Sequence, residues 1–450
     1  MAIKSYPIGI HPDEHKSFSM KEGLLELPCP ERVIVPLSQH IGRPAVPVVQ
    51  TGETVKVGTL LASAADGVSA AVHSSLSGKI TKIGSFSHPV LGAAPAVEIT
   101  ADGTDQQESL ITRDAMTLSR DELLAIIRDA GIVGLGGAGF PTQIKLQPPR
   151  ENTIDAFILN AVECEPYLTC DHTLMKNHAK QLVVATELIM KILGAKRGYI
   201  AVEANKMDAV GLFKEHLIGR RVQRLYADQS RLSIEILKVQ YPHGAEKQLI
   251  KTVFGREVGP GKLPKDVGCI VDNVGTAFAV YEAATAGKPL YERIITVSGS
   301  GVARPCNVKA RIGTLFSHVV DCCGGMQGDV KKIIMGGPLM GITQPGLDVP
   351  VIKGTTGILL FTEKETRFFE RRPCIRCGRC LDVCPMFLSP TDIARFSEAN
   401  DMERLRSYYP EDCIECGNCS YICPSRIPLV QLIRLGKQKV CKQADMAKND

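Results

Sequence analysis

The rhythm of apolar and polar residues divides the chain into four stretches. From residue 1 to 115, short alternating runs are broken by glycines, as in VVQTGETVKVGTLLASAADGVSAAVHSSLSGKITKI (Val48 to Ile83). That pattern predicts short strands joined by tight turns. At Ser119 the period lengthens. Ser119 and Glu122 have capping-box spacing, and Leu123, Leu124, Ile126, Ile127 and Ala130 share one face of the helix that follows. From there to residue 293, strand-like runs such as AFILNAV alternate with helical ones such as KQLVVATELIMKILGA, which indicates an α/β domain. Residues 294–362 return to short strands and glycine turns. From 363 to 450, with Phe368 near the boundary, the chain is helical and rich in cysteine.

A chain of 450 residues is too long for one core and predicts a multidomain protein. With 44% hydrophobic and 22% charged residues it reads as globular, and disorder is expected only in the polar tail from Lys442 to Asp450. The net charge of +5 is spread among interleaved acids and bases, with no basic stripe carrying aromatics, which argues against a nucleic-acid partner. No apolar run approaches the ~20 residues of a membrane span. The best, Leu182 to Ala195, contains Glu187 and Lys191 and reads as an amphipathic helix. The first residues lack a secretory-signal pattern, so membrane contact is expected only through partners.

Half of the sixteen cysteines fall in two strings. CIRCGRCLDVCP places Cys374, Cys377, Cys380 and Cys384 before Pro385, and CIECGNCSYICP places Cys413, Cys416, Cys419 and Cys423 before Pro424. Both are C-x2-C-x2-C-x3-C-P, the two-cluster ferredoxin spacing. Three cysteines two residues apart wrap one face of an iron–sulfur cubane, while the fourth turns away to the other cluster. One [4Fe–4S] cluster is then expected on Cys374, Cys377, Cys380 and Cys423, the second on Cys413, Cys416, Cys419 and Cys384. Structural zinc is the alternative, although its ligands normally come as paired knuckles. PTDIARFSEANDMERL predicts two helices inserted between the motifs. The other cysteines (Cys29, Cys164, Cys170, Cys269, Cys306, Cys322, Cys323 and Cys441) show no ligand spacing and are expected to be buried small hydrophobes. Tight thiol clusters point to a reducing compartment, read as the cytoplasm.

A second signal is glycine-rich. Gly134-Leu135-Gly136-Gly137-Ala138-Gly139 matches G-x-G-x-x-G, but a helix precedes it where the dinucleotide fingerprint requires a strand. Four glycines in six residues instead let main-chain N–H groups approach a phosphate or a flat ring, with Lys145 near enough to supply charge. A tight structural turn packed on Phe140 is the other reading.

These residues carry resemblances. Val48 to Ile83 resembles the barrel-sandwich hybrid of biotinyl and lipoyl carriers. The exposed turn Ala64 to Val68 lacks the carriers' lysine, so a structural barrel is expected. ITVSGSGVARPCNVKARIGTLFSHVVDCCGG resembles the β-grasp module that follows the flavin domain in some NADH dehydrogenase subunits. GLGGAGFPTQIKL (Gly134 to Leu146), NAVECEP (Asn160 to Pro166), YPHGAEKQL (Tyr241 to Leu249) and NVGTAFAV (Asn273 to Val280) are similar to the flavin and nicotinamide segments of the NADH-oxidising flavoprotein of respiratory complex I. With twin cluster motifs added, the domain order resembles the RnfC family, which belongs to Rnf-type ion-translocating electron transport complexes.

That resemblance implies four domains: a barrel-sandwich hybrid (1–115), an α/β FMN/NADH-binding domain (116–293), a β-grasp module (294–362) and a helical two-cluster ferredoxin domain (363–450). It implies FMN contacts at Gly134, Gly136, Gly137, Gly139 and Lys145, with Asn273 and Thr276 near the phosphate. Asn160, Glu163 and Glu165 would line the isoalloxazine and nicotinamide side. Phe140 and Tyr241 would offer ring contacts, and Gly244 and Glu246 would complete the site. Val162 and Ala245 stand where the complex I relative has acids.

NADH releases two electrons as hydride, whereas a cluster accepts one, and FMN bridges the mismatch without a side-chain acid or base. The implied function is electron transfer between NADH, FMN and two [4Fe–4S] clusters, on the cytoplasmic side of the inner membrane. The implied partners are membrane-embedded and peripheral subunits, with ferredoxin reached through one of them. Two other readings stay open: the NADH-oxidising component of a soluble complex, and a flavin-free iron–sulfur module.

Overall fold

Four parallel strands near the middle of the chain carry the largest core. The computed structural model describes residues 3–449 apart from 138, 150, 223–230 and 367–369, and only the backbone of 219–222 and 444–449. The strands lie in the order Leu232–Leu237, Arg197–Glu203, Ala156–Ala161, Cys269–Asn273. AFILNA reads as an unbroken apolar run because both faces of its strand are covered. Phe157, Leu159 and Ala161 enter one core with the helices Arg120–Asp129, Cys170–Leu193 and Val274–Ala286. Ala156 and Ile158 enter another with the helix Glu246–Phe254. Each fully buried Leu, Ile or Phe contributes about 1.5–3 kcal/mol.

By chain position that sheet order is three-two-one-four, so the winding reverses between Ala156–Ala161 and Cys269–Asn273. In such sheets ligands bind beyond the carboxyl ends of the strands at the reversal. Asn160 and Asn273 are register partners there, at the ends of their strands.

The expected capping box is present: the Ser119 side chain accepts from the Glu122 N–H, and the Glu122 carboxylate accepts from the Ser119 N–H. Leu182, Val183, Leu188, Ile189 and Ile192 are buried within Cys170–Leu193, while Lys191 reaches the carbonyls of Met116 and Leu118. Among the described residues no helix is long and apolar enough to cross a membrane.

The amino-terminal stretch forms two small sheets. One has the order Arg32–Pro36, Gly92–Ala101, Gly78–His88, Thr54–Val55, and the other Val46–Pro47, Leu60–Ser63, Val72–His73. The turn from Ala64 to Gly67 is largely exposed and carries no lysine. Several short segments before residue 32 pair outside these two sheets. Lys4 bridges to Leu237, Ile10 to Tyr241, and Leu24–Glu26 runs parallel to Cys306–Arg311. Short segments of this kind take their pairing from distant strands, not from local rhythm.

Leu24–Glu26 thereby edges a six-stranded mixed sheet with Cys306–Arg311, Glu292–Ser298, Gly357–Thr362, Val330–Met335 and Ile342–Gln344. The helix Phe316–Cys322 packs on it through Phe316, Val319 and Val320.

The last module is helical. Pro390–Ala399 and Met402–Ser407 lie between the cysteine motifs and pack on Leu429–Asn449. That final helix runs through Lys442 to Asn449, correcting the expectation of a disordered tail; Leu429, Ile433 and Gly436 seat it against Ile393, Ser397 and Leu405. Phe368 and Asp450 lie outside the described residues. Cys29 and Cys441 are exposed, and Cys164 and Cys322 half-buried, so burial does not hold for every cysteine outside the motifs.

Candidate functional site

The glycine loop lies over the sheet reversal. Thr276 Oγ accepts from the Leu135 N–H at 2.9 Å, which ties the loop to the first turn of Val274–Ala286. Asn273 caps that helix, its Oδ1 accepting from the Gly275 N–H at 2.8 Å. A Cβ on Gly136 would stand 3.1 Å from the Asn273 Cβ. Gly137 holds φ at 126°, a conformation closed to other residues without strain, and has open space beside it. Gly136 and Gly137 are exposed, and among the described residues their N–H groups meet no main-chain acceptor. Free N–H groups above a helix N-terminus suit an anion such as a flavin phosphate. The chain's residues fit that group. Gly134 closes the loop by donating to the Phe140 carbonyl, with Gly139 buried and Phe140 half-buried; Ala138 lies outside the described residues.

Around this loop, Asn160 donates to the Gly244 carbonyl at 2.8 Å, and Asn273 donates to Asp171 Oδ2 at 2.6 Å. Glu163 accepts the N–H groups of Asp171 and His172, capping the helix Cys170–Leu193. Burial, reinforced by the charge of Glu163, pushes the Asp171 carboxyl up to about 7. Asp171 and Arg293 are functional candidates that sequence reasoning missed. Arg293 Nη2 donates to the Leu135 carbonyl at 3.2 Å, while its Nε is buried without a partner. The signal for Asp171 was present, five residues beyond NAVECEP in YLTCDH; Arg293 carried none.

Three expected contacts are engaged elsewhere. Lys145 Nζ lies 2.5 Å from Glu246 Oε1 and 3.2 Å from Asp272 Oδ1. Burial alone would lower this ammonium, but the two carboxylates outweigh it and hold it above its ordinary value. Its charge is therefore already matched within the protein. Glu165 accepts the N–H groups of Leu339 and Met340, and burial pushes its carboxyl up to about 7. Tyr241 is buried and donates to the main-chain carbonyl of Cys416 at 2.8 Å. Tyr241 thus faces the cysteine module, whereas Glu165 is held by the 294–362 stretch. Lys16, also missed, donates to the carbonyls of Glu163, Glu165 and Leu168.

The cysteines form two groups. Cys384, Cys413, Cys416 and Cys419 line one largely apolar cavity with Met386, Leu388, Val430 and Ile433. The charge of Cys384, from the first motif, is felt at all three cysteines of the second, and that of Cys423 at Cys380. Fourth ligands exchanged between motifs require this arrangement. Main-chain N–H groups of Glu415 and Leu388 approach Cys413 and Cys384 sulfurs at 3.3 and 3.4 Å. Cysteine triplets at this spacing suit an iron–sulfur cubane, where zinc ligands normally come as paired knuckles. Burial pushes the Cys413 thiol up to about 11, and cluster ligands bind as thiolates.

The Cys384 group abuts the α/β module. Besides Tyr241, Gln248 donates to the Pro385 carbonyl at 3.2 Å, and Asp412 accepts the Gly261 N–H at 3.2 Å. The other group lies outward, with Cys374 and Cys377 exposed and Cys380 and Cys423 buried.

Successive stretches of the chain match four known protein families. Residues 4–104 match the RnfC barrel sandwich hybrid domain, 127–282 the Nuo51 FMN-binding domain, 294–343 the SLBB domain and 367–424 a 4Fe-4S dicluster domain. The chain is 42% identical to the C subunit of the Na(+)-translocating ferredoxin:NAD(+) oxidoreductase complex from Acetobacterium woodii, over 97% of each chain. It belongs to the RnfC family. Another family member, the C subunit of the proton-translocating ferredoxin:NAD(+) oxidoreductase complex from Clostridium ljungdahlii, is also 42% identical, over 90% of this chain and 87% of that protein. The C subunit of the ion-translocating oxidoreductase complex from Rhodobacter capsulatus is 38% identical, over 97% of this chain and 84% of that one. An NAD+-reducing [NiFe]-hydrogenase in the H2-reduced state matches with a TM-score of 0.52 at 20% identity. That match spans 72% of this chain and 63% of the hydrogenase chain, and it shows likeness of fold alone.

Proposed function

We propose that this chain is the NADH-linked electron-transfer component of a membrane-bound, ion-translocating oxidoreductase complex. It passes electrons between NADH, FMN and two [4Fe–4S] clusters, and partner subunits hold it at the cytoplasmic face of the inner membrane. FMN, when bound, splits the electron pair of NADH into single electrons that clusters carry. The chain's own residues do the rest. Gly136, Gly137 and Gly139 with Thr276 and Asn273 shape the phosphate end; Asn160, Gly244, Glu163 and Asp171 shape the ring end.

The observation that carries this reading is the bond from Tyr241 to Cys416, which fixes one cysteine group against the flavin module. It supports an order in which the group of Cys413, Cys416, Cys419 and Cys384 is inner, and that of Cys374, Cys377, Cys380 and Cys423 is outer. One relative is named for protons and another for Na(+) at the same 42% identity, which fits an ion path in other subunits. The four modules, 1–115, 116–293, 294–362 and 363–450, would then be a supporting barrel, the flavin and nicotinamide site, a clamp over Glu165 and the electron outlet.

Anaerobic purification with iron and flavin quantified together, followed by NADH, tests the proposal. The expected result is about eight irons, as two [4Fe–4S] clusters require, one flavin, and bleaching of both by NADH. A chain that retains iron but no flavin, and is not reduced by NADH, refutes it.

A further inference from the structure

The two cysteine motifs are structural copies offset by 39 residues (413 − 374). Their backbones repeat the same left-handed positions: Arg376 and Glu415 at φ 55° and 57°, Gly378 and Gly417 at 77° and 79°, Phe387 and Arg426 at 56° and 53°. Their charges are opposite. Residues 370–382 hold Arg371, Arg372, Arg376 and Arg379 against Glu370 and Asp382, a net +2; the equivalent residues 409–421 hold Glu411, Asp412 and Glu415 and no base, a net −3.

The acidic copy is turned inward. Asp412 bonds the Gly261 N–H, and Glu415 pairs with Arg434 at 2.7 Å and Lys437 at 3.2 Å. A Cβ on Gly417 would stand 2.9 Å from the Leu339 carbonyl oxygen. The basic copy faces outward. Arg371 is engaged by Glu398, but Arg372, Arg376 and Arg379 are exposed, and among the described residues they make no ion pair. Between them Cys374 and Cys377 are exposed, and Ile375 is 67% exposed.

We propose that this arginine-framed face over the Cys374 loop docks an acidic iron–sulfur protein or domain, which exchanges electrons with the outer cluster. The inference rests on reading the chain as an electron carrier and adds where and by what charge its partner binds. Ligand cysteines open to solvent inside a basic patch are placed for one-electron exchange with a docked redox centre. A single electron passes, the donor loses it and the acceptor gains it, and no bond forms or breaks. Unpaired guanidinium groups around a small apolar contact supply the charge complementarity that steers such encounters and fixes their register. An anionic lipid surface would attract the same arginines, but it offers no electron acceptor to the exposed cluster.

The test uses the full-length holoprotein under anaerobic conditions, with the variants R372E/R376E/R379E and R372Q/R376Q/R379Q. Glutamate is tolerated at the equivalent of 376, because Glu415 adopts the same φ. The probe is a reduced, strongly acidic two-[4Fe–4S] bacterial ferredoxin, with reduced methyl viologen as a small donor that needs no docking. Expected is a loss of about tenfold or more in the ferredoxin rate for the glutamate variant, since steering is worth 10–10³-fold. A smaller loss is expected for the glutamine variant, with iron, flavin and the rates with NADH and methyl viologen unchanged. Should the glutamate variant lose iron, the glutamine variant decides: a ferredoxin rate equal to wild type overturns the proposal. So does a ferredoxin rate unchanged in both variants alongside lost binding to phosphatidylserine vesicles. Wild-type protein that NADH does not reduce would instead remove the underlying electron-carrier reading.

Discussion

The hydroxyl of Tyr241 donates a 2.8 Å hydrogen bond to the main-chain carbonyl of Cys416, joining residues 175 positions apart. It links the segment beside the flavin site to the loop of the inner cysteine group. Removing the hydroxyl in Y241F leaves a buried carbonyl without this donor, a penalty of about 1–3 kcal/mol. The variant should bleach its flavin with NADH at the wild-type rate while its clusters are reduced more slowly. Stopped-flow absorbance separates the two phases, and wild-type cluster kinetics with an unchanged Tm would contradict the expectation.

Glu165 gives the junction a pH dependence. Burial raises its carboxyl from 4.5 to about 7, opposed by the N–H groups of Leu339 and Met340, the Tyr241 hydroxyl and the charge of Lys16. Between those values the folded chain keeps a proton that the unfolded chain has lost, so this group's contribution to stability falls as pH rises through the window. The contribution amounts to about 3 kcal/mol at most. In E165Q the decline in thermal midpoint from about pH 5 to pH 7 should shrink; an equal decline in both proteins would exclude Glu165 as its source.

Gly137 tests the loop. Its φ of 126° with open space alongside means that G137A adds backbone strain and no clash. Such strain is of order 1–3 kcal/mol. G137A should purify with full iron but reduced flavin. Gly194, at φ 68° on the C-terminus of Cys170–Leu193, serves as the control: G194A should lose stability without losing flavin.

Much of this molecule was legible in the sequence where local rules decide. The capping box at Ser119, the doubly buried strand around Leu159 and the two inserted helices each follow from short-range pattern. The exchange of fourth ligands between the two cysteine strings, read from spacing, is a proposal that the cysteine substitutions below test. What the sequence could not show are contacts made across the chain. Lys145 meets Asp272 because the sheet reversal places Cys269–Asn273 beside Ala156–Ala161, and no periodicity encodes that meeting. Glu165 looked like a ring-side acid, yet the turn at Leu339 and Met340 captures it. The paths of Lys4, Ile10 and Leu24–Glu26 away from the barrel were hidden for the same reason.

The order of the two clusters is the claim on which the electron path depends, and paired ligand substitutions test it. C384S lies in the first motif but should remove the inner cluster, leaving about four irons, as one [4Fe–4S] cluster holds. NADH should then bleach the flavin while the remaining cluster stays oxidised. C374S should remove the outer cluster and leave one that NADH still reduces. Reduction of the remaining cluster in C384S at the wild-type rate, followed by low-temperature EPR after rapid mixing with NADH, would contradict both the exchange of ligands and the inner position of the Cys416 group.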